Sequence, residues 1–346
     1  MKAVVIHAAK DLRVEDFTEQ RADHVGKAEV RVRMKAGGVC GSDLHYYNHG
    51  GFGTVRLREP MVLGHEVSGE VTEIGAEVEG VAVGDLVAIS PSRPCSGCET
   101  CNRGLPNHCE NMRFYGSAMP FPHIQGAFRQ EMIVNASQCA VANGLTPGEA
   151  AMAEPLAVTL HGVRRAGELL GKRVLVTGCG PIGLLSILSA RLAGAEEIVA
   201  TDLSDFTLDM ARRIGADRTI NTGTQPDGLS EFAHGKGTFD AMFECTGVAA
   251  ALNPALDAMR PRGVVVQLGL GGEMPLNMMK VTAKELNLRG SFRFHEEFAT
   301  GIEAMRKKRI DLSPLITHRV GLEEAERAFQ IASDRSSAIK ALIEFD

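Results

Sequence analysis

Four cysteines fall within fifteen residues, as Cys95-x2-Cys98-x2-Cys101-x7-Cys109. Short loops of this spacing can wrap four thiolates around one tetrahedral Zn²⁺. Gly97 and Gly104 let the chain curl, and Pro94 and Pro106 stiffen it. Four protein sulfurs complete the coordination sphere, so a zinc held here is structural. Disulfides are the competing use of these thiols. The chain opens Met1-Lys-Ala-Val-Val-Ile and meets charge at Lys10–Arg13, without the apolar core of a signal peptide. A cytoplasmic location is therefore expected, with all eight cysteines reduced.

A second set of metal-ligating residues is scattered over three fragments. These are Cys40-Gly-Ser42-Asp43-Leu-His45, Gly64-His65-Glu66 and Ala153-Glu154-Pro155. Together they offer a thiolate, imidazoles and carboxylates. A catalytic zinc takes three protein ligands and keeps one position open for water or substrate. Cys40, His65 and Glu66 fill that role, with Glu154 as the alternative or alternating carboxylate. One carboxylate and the Cys40 thiolate already neutralise Zn²⁺. A second anionic ligand would weaken its Lewis acidity, so exchange of the two carboxylates is expected in preference to joint binding.

The third chemical element is Gly178-Cys-Gly180-Pro181-Ile182-Gly183, set between an apolar strand at 173–177 and a helix. In that context the glycines fit a dinucleotide-binding turn. Gly178 allows the tight turn, Gly180 lets the backbone approach a pyrophosphate, and Gly183 lets helix and strand pack closely. Pro181 and Ile182 open the helix, whose free N–H groups face the phosphates. Asp202 follows nineteen residues after Gly183, where a carboxylate can accept hydrogen bonds from ribose hydroxyls and repel a 2′-phosphate. The run Asp202-Leu-Ser-Asp205 carries no cation. NAD is favoured over NADP on both counts.

Elements that must position these residues are visible in the pattern. Glu29–Lys35 alternates apolar and charged residues as a half-buried antiparallel strand does, and 67–74 and 86–89 read similarly. A long helix is expected over 149–170, stopped by Gly171. Beyond it, apolar strands at 173–177, 197–201, 239–244 and 263–268 alternate with helices at 181–193, 204–214 and 249–259. That alternation predicts a parallel, doubly wound α/β sheet covered on both faces. Helices at 296–307 and 322–332 and a closing strand at 338–343 are expected after it. The expected domains are 1–150, 151–289 and a piece, 290–346, that packs back onto the first. The 346 residues suit two domains. With 44% hydrophobic residues and a net charge of −6, little of the chain is expected to be disordered. No basic block points to nucleic acid, and the uncharged stretch 174–190 is too short and too glycine-broken to cross a membrane.

The sequence resembles the zinc-containing medium-chain alcohol/polyol dehydrogenases over essentially its whole length. The resemblance rests on Cys40-Gly-Ser-Asp-Leu-His45, Gly64-His-Glu-Val-Ser-Gly-Glu70, the four-cysteine lobe, Glu154-Pro-Leu156 and Gly178–Gly183. Glu154 stands where alcohol dehydrogenases place a second zinc-binding cysteine, as in the sorbitol dehydrogenase branch. The runs His45-Tyr-Tyr47, Pro60-Met-Val-Leu-Gly-His65 and Gly290-Ser-Phe-Arg-Phe294 are similar to the bacterial L-idonate 5-dehydrogenases. The resemblance implies a mostly-β GroES-like catalytic domain with a structural zinc lobe, split around an inserted Rossmann domain. It implies an active-site cleft between the two, and a homo-dimer or homo-tetramer. It implies oxidation of a secondary alcohol of a sugar acid or polyol, with L-idonate to 5-keto-D-gluconate as the leading substrate pair. In that scheme Ser42 receives the alcohol proton and His45 forms the outer end of the relay. Tyr46, Tyr115, Glu154 and Arg293 fall where polyol dehydrogenases contact substrate. Arg293 would fork onto a carboxylate or bind a pair of hydroxyls. The competing class is a catalytically silent, dinucleotide-binding redox sensor.

Overall fold

The computed structural model describes residues 1–18 and 24–345, which divide into two compact units. One comprises Met1–Glu154 and Phe298–Asp346, the other Pro155–Glu297. The sequence places these joints at 150 and 290; the structure places them four and eight residues later.

In the first unit, the strand Glu29–Gly38 is the hub of a seven-stranded sheet. It pairs antiparallel with Glu66–Ile74, Glu131–Asn135 and Lys340–Glu344. Its alternation is obeyed: Val30, Val32 and Met34 are buried in the core. Phe128, Tyr47 and Phe329 pack into the same cluster. The C-terminal strand Lys340–Glu344 enters this sheet through Leu342↔Gly38, while Glu66–Ile74 enters through Glu66↔Gly38. Three strands from distant parts of the chain therefore end at one place.

The second unit is a six-stranded, wholly parallel sheet. Its strands are Arg173–Thr177, Glu197–Asp202, Arg218–Asn221, Phe239–Glu244, Met259–Gln267 and Asn287–Gly290. Numbered in that order, they lie 3-2-1-4-5-6 across the sheet. This is the doubly wound Rossmann order, in which the chain reverses direction across the sheet beside its first strand. Val174, Leu175 and Val176 are wholly buried, as a strand covered on both faces requires.

Two strands escape the sequence pattern. Arg218–Asn221 and Asn287–Gly290 are four residues long and carry polar side chains at the sheet's two edges. The expected helix 149–170 is in fact two, Pro147–Ala151 and Ala153–Ala166. The break at Met152 puts Pro155 in a first turn, where its missing N–H costs nothing. The second helix stops at Gly167, in the left-handed region with φ +95°, ahead of the expected Gly171.

A buried acid lies at the end of the second unit. Burial alone would raise the Glu297 carboxyl. Hydrogen bonds from His161 Nδ1 (3.0 Å) and the His295 N–H (2.8 Å) more than reverse this and bring it down to about 2. A carboxylate whose pKa is lowered on folding stabilises the fold above its ordinary titration range and loses that contribution as pH falls through its folded value. Glu297→Gln should therefore destabilise the chain by about 1–2 kcal/mol at pH 7, after discounting for solvent screening. Denaturant titrations should show the gap from the parent narrowing between pH 4.5 and pH 2. An equal gap at both ends of that range would contradict this account.

Candidate functional site

Cys40 lies two residues beyond the end of the hub strand, and His65 one residue before the start of Glu66–Ile74. Because Gly38 pairs with Glu66, the two ligands come side by side. Cys40 is the N-cap of the helix Gly41–His49, where its N–H donates to Asp43 Oδ2 at 3.1 Å. Gly64 turns the chain into His65 with φ +95°, and a side chain there would run into the buried Phe128 ring. Cys40, His65 and Glu66 bring one ligand atom each to within 4.8 Å of one another.

The surroundings suit a dication. Asp43, His65, Glu66 and Glu154 are all buried. Burial, and then the neighbouring Glu66 carboxylate, push the Cys40 thiol up to about 12. Burial pushes the Glu154 carboxyl up to about 8 against the opposing pull of His65. Thiolate and carboxylate can both be ionised in so dry a place only beside strong positive charge. His65 Nδ1 is buried without a hydrogen-bond partner, and Asp43 Oδ1 lies 3.6 Å from it. A carboxylate facing one ring nitrogen leaves the other, Nε2, free to serve a metal. Ser42 Oγ stands 3.4 Å from that Nε2.

The cysteine lobe closes a second site. Cys95, Cys98, Cys101 and Cys109 also lie within 4.8 Å of one another. Cys98 and Cys109 sulfurs are 3.9 Å apart, against about 3.8 Å across a tetrahedral Zn–S₄ centre. N–H groups converge on these sulfurs: the Cys95 amide donates to Cys109 Sγ at 3.1 Å and Asn111 Nδ2 to Cys95 Sγ at 3.6 Å. The Thr100 hydroxyl and the Cys101 amide bring the Cys98 thiol down to about 6. These donors favour thiolate, the form a metal takes.

In the second unit, Gly178 leaves the first strand with φ +84°, and Gly180 is the N-cap of the helix Pro181–Leu192. Any side chain at Gly183 would collide with the Gly178 carbonyl oxygen, so helix and turn meet only through glycine. Asp202 accepts the Cys179 N–H at 2.6 Å on one oxygen, and those of Leu203 (2.7 Å) and Ser204 (3.0 Å) on the other. It thus pins the glycine turn to the end of the second strand. Glu244, wholly buried, does similar work nearby, accepting the Thr246 and Gly247 N–H groups and the Gln267 amide.

Residues 26–144 match the alcohol dehydrogenase GroES-like domain family, and residues 181–307 match the zinc-binding dehydrogenase family. The chain is 41% identical over 330 residues to L-idonate 5-dehydrogenase (NAD(P)(+)) of Escherichia coli K12, covering 95% of each chain. It is 37% identical to the sorbitol dehydrogenase of Gallus gallus, covering 99% of this chain and 96% of that one. A crystal structure of the E. coli L-idonate 5-dehydrogenase matches with a TM-score of 0.94 at 39% identity, over 99% of this chain and 98% of that one. The chain belongs to the zinc-binding dehydrogenases. It is an oxidoreductase that works with zinc and a nicotinamide dinucleotide.

Other expected residues of this zinc-binding dehydrogenase are placed as follows. His45 is partly buried on the same short helix as Ser42, with the Phe52 ring 5.8 Å away; burial, then His49 and Arg335, lower its pKa. Tyr46 Oη accepts the Ala118 N–H at 3.0 Å, and Tyr115 Oη donates to Gln138 Oε1 at 3.2 Å. Both rings lie in the core, with their hydroxyls committed to interior partners. Arg293 is in the second unit, its guanidinium 4.9 Å from the Phe292 ring. Three residues of the metal site were missed from sequence. Asp43 was legible as part of its motif but given no role. Phe114, whose ring is 5.5 Å from that of His65, carries no signal. Lys340, which donates to both oxygens of Glu66 at 2.9 and 2.7 Å, showed only as a lone cation in an apolar strand. No helix among the described residues is long and apolar enough to cross a membrane.

Proposed function

We propose that this chain is an NAD-dependent L-idonate 5-dehydrogenase, oxidising the C5 alcohol of L-idonate to 5-keto-D-gluconate. The observation that carries the reading is the Cys40–His65–Glu66 cluster in a chain 41% identical, over 95% of each chain, to an enzyme of that name. Cys40, His65 and Glu66 hold the catalytic zinc, with Glu154 as the alternative carboxylate; Cys95, Cys98, Cys101 and Cys109 hold the structural one. When bound, zinc supplies Lewis acidity to an alcohol oxygen and NAD supplies the hydride acceptor.

The chain's own residues manage the proton and the orientation. Ser42 Oγ, within reach of the metal-facing His65 nitrogen, takes the alcohol proton. His45, three residues on and partly exposed, has a lowered pKa and so stands neutral and ready to accept that proton at pH 7. Gly178, Gly180, Pro181, Ile182 and Gly183 receive the pyrophosphate, and Asp202 the ribose hydroxyls. Asp202 and Asp205 oppose a 2′-phosphate, which favours NAD. Arg293 reads the substrate's far end, while Tyr46 and Tyr115, buried with their hydroxyls bonded to Ala118 and Gln138, brace the interior of the metal-holding unit. Oxidation of sorbitol-type polyols is the second reading, favoured by the 37% identity to a sorbitol dehydrogenase.

We infer self-association as well. Asn287–Gly290 ends the parallel sheet with no strand on its outer edge among the described residues, and Leu288 within it is an exposed large hydrophobic residue. An open strand edge with apolar flanks is a pairing surface, here for a second copy. Light scattering should find a dimer or a multiple of it, and Leu288→Lys should shift it toward monomer. A monomeric parent would remove the inference.

The substrate reading is tested by initial rates of NADH formation with L-idonate, D-sorbitol, xylitol and 2,3-butanediol. A kcat/KM for L-idonate at least about a hundredfold above the polyols, about 2.7 kcal/mol of discrimination, is expected. Arg293→Ala should erase most of that ratio. Equal or faster oxidation of polyols would replace the sugar acid with a polyol. Binding of NADH without turnover of any alcohol would restore the sensor.

A further inference from the structure

Lys340 is the one buried charged side chain of the strand Lys340–Glu344, and its neighbours Ile339, Ala341, Leu342 and Ile343 are all buried. Its ammonium is as dry as they are, with its side chain 3% exposed and that of its partner Glu66 1%. Its three N–H bonds meet three acceptors: Glu66 Oε1 at 2.9 Å, Glu66 Oε2 at 2.7 Å and the Val39 carbonyl at 3.1 Å. The grip is fixed by the sheet, because Leu342 pairs with Gly38 and Gly38 with Glu66. A buried ion pair adds little stability over packed apolar side chains. What this one changes is the carboxylate it holds.

Glu66 is also the carboxylate that comes within 4.8 Å of the Cys40 and His65 ligand atoms. Both oxygens of this carboxylate thus bond the ammonium, and one of them also lies within 4.8 Å of the Cys40 and His65 ligand atoms. We propose that Lys340 is a positioning residue that shares Glu66 with the catalytic metal and keeps Glu66 a weak, replaceable ligand. The inference rests on the assignment of Cys40, His65 and Glu66 to the metal. Ammonium hydrogen bonds draw negative charge from both carboxylate oxygens, and so reduce what Glu66 can donate forward. The metal keeps more of its own positive charge, and its carboxylate position can pass to Glu154 or to substrate without a large barrier. Without Lys340, Glu66 would turn its full charge on the metal and hold it too firmly.

The test uses the whole enzyme with Co²⁺ placed at the Cys40 site, so that ligand number is read from the metal's visible absorption. Lys340→Gln removes the charge but keeps a donor; Lys340→Met removes both, and either variant decides. Lys340→Arg keeps the charge. With Lys340→Gln or Lys340→Met, release of Co²⁺ to a chelator should slow about tenfold, as outer-shell changes commonly alter metal affinity. The visible band should weaken toward that of an ion with an added ligand. Lys340→Arg should match the parent in both readouts. In a Glu66→Gln background, neutralising Lys340 should change neither, since its effect passes through the Glu66 carboxylate. Unchanged or faster release in the neutral variants would overturn the inference, and so would the same effect in the Glu66→Gln background. A parent chain that takes up no Co²⁺ at Cys40 would instead fail the metal assignment itself.

Discussion

Buried negative charge around the Cys40–His65 pair is the constraint on which the catalytic unit depends. Asp43, Glu66 and Glu154 are buried beside the half-buried Cys40, and Lys340 is the buried cation paired with Glu66. Isolated ionised groups are intolerable at such burial. A dication between thiolate, imidazole and carboxylate would offset two of these charges, and Lys340 is paired with the Glu66 carboxylate. The fold is arranged to this end. The hub strand Glu29–Gly38 delivers Cys40, its neighbour Glu66–Ile74 delivers His65 and Glu66, and the C-terminal strand delivers Lys340.

The same economy governs the parallel sheet. Its functional edge is the C-terminal end of the strands, beside the point where strand order reverses. Asp202 and Glu244 are acids spent on tying loops together through backbone N–H groups. Because Asp202 already fixes the Cys179 amide, the ribose-binding role proposed for it would be inseparable from the shape of the glycine turn. A substitution there disturbs both at once.

How much of this was legible in the sequence follows from where each partner lies in the chain. The four thiols of the cysteine lobe are local, and the glycine turn is local; both read directly. Cys40, His65 and Glu66 read through residue type, but their meeting depends on the Gly38↔Glu66 register, which no periodicity states. Lys340 stands 274 residues from Glu66, and a lone lysine in a short strand looks like an edge residue until the third strand is in place. Phe114 is part of the site through its ring against His65, a contact with no motif. The long helix was overrun because its apolar pattern continues across Met152, while the break is set by Pro155 and the end by Gly167. The missed edge strands carry polar, four-residue patterns that only pairing with a neighbour makes into strands.

The charge argument is tested most directly by zinc content, measured side by side on the parent, Cys40→Ser and Cys98→Ser. Two groups of ligands predict two zinc ions per parent chain. Each variant should lose one, and Cys40→Ser should lose turnover with NAD while keeping the parent's folded spectrum. A parent with zinc at the cysteine lobe alone, or a Cys40→Ser chain that keeps both ions and its turnover, would contradict the account.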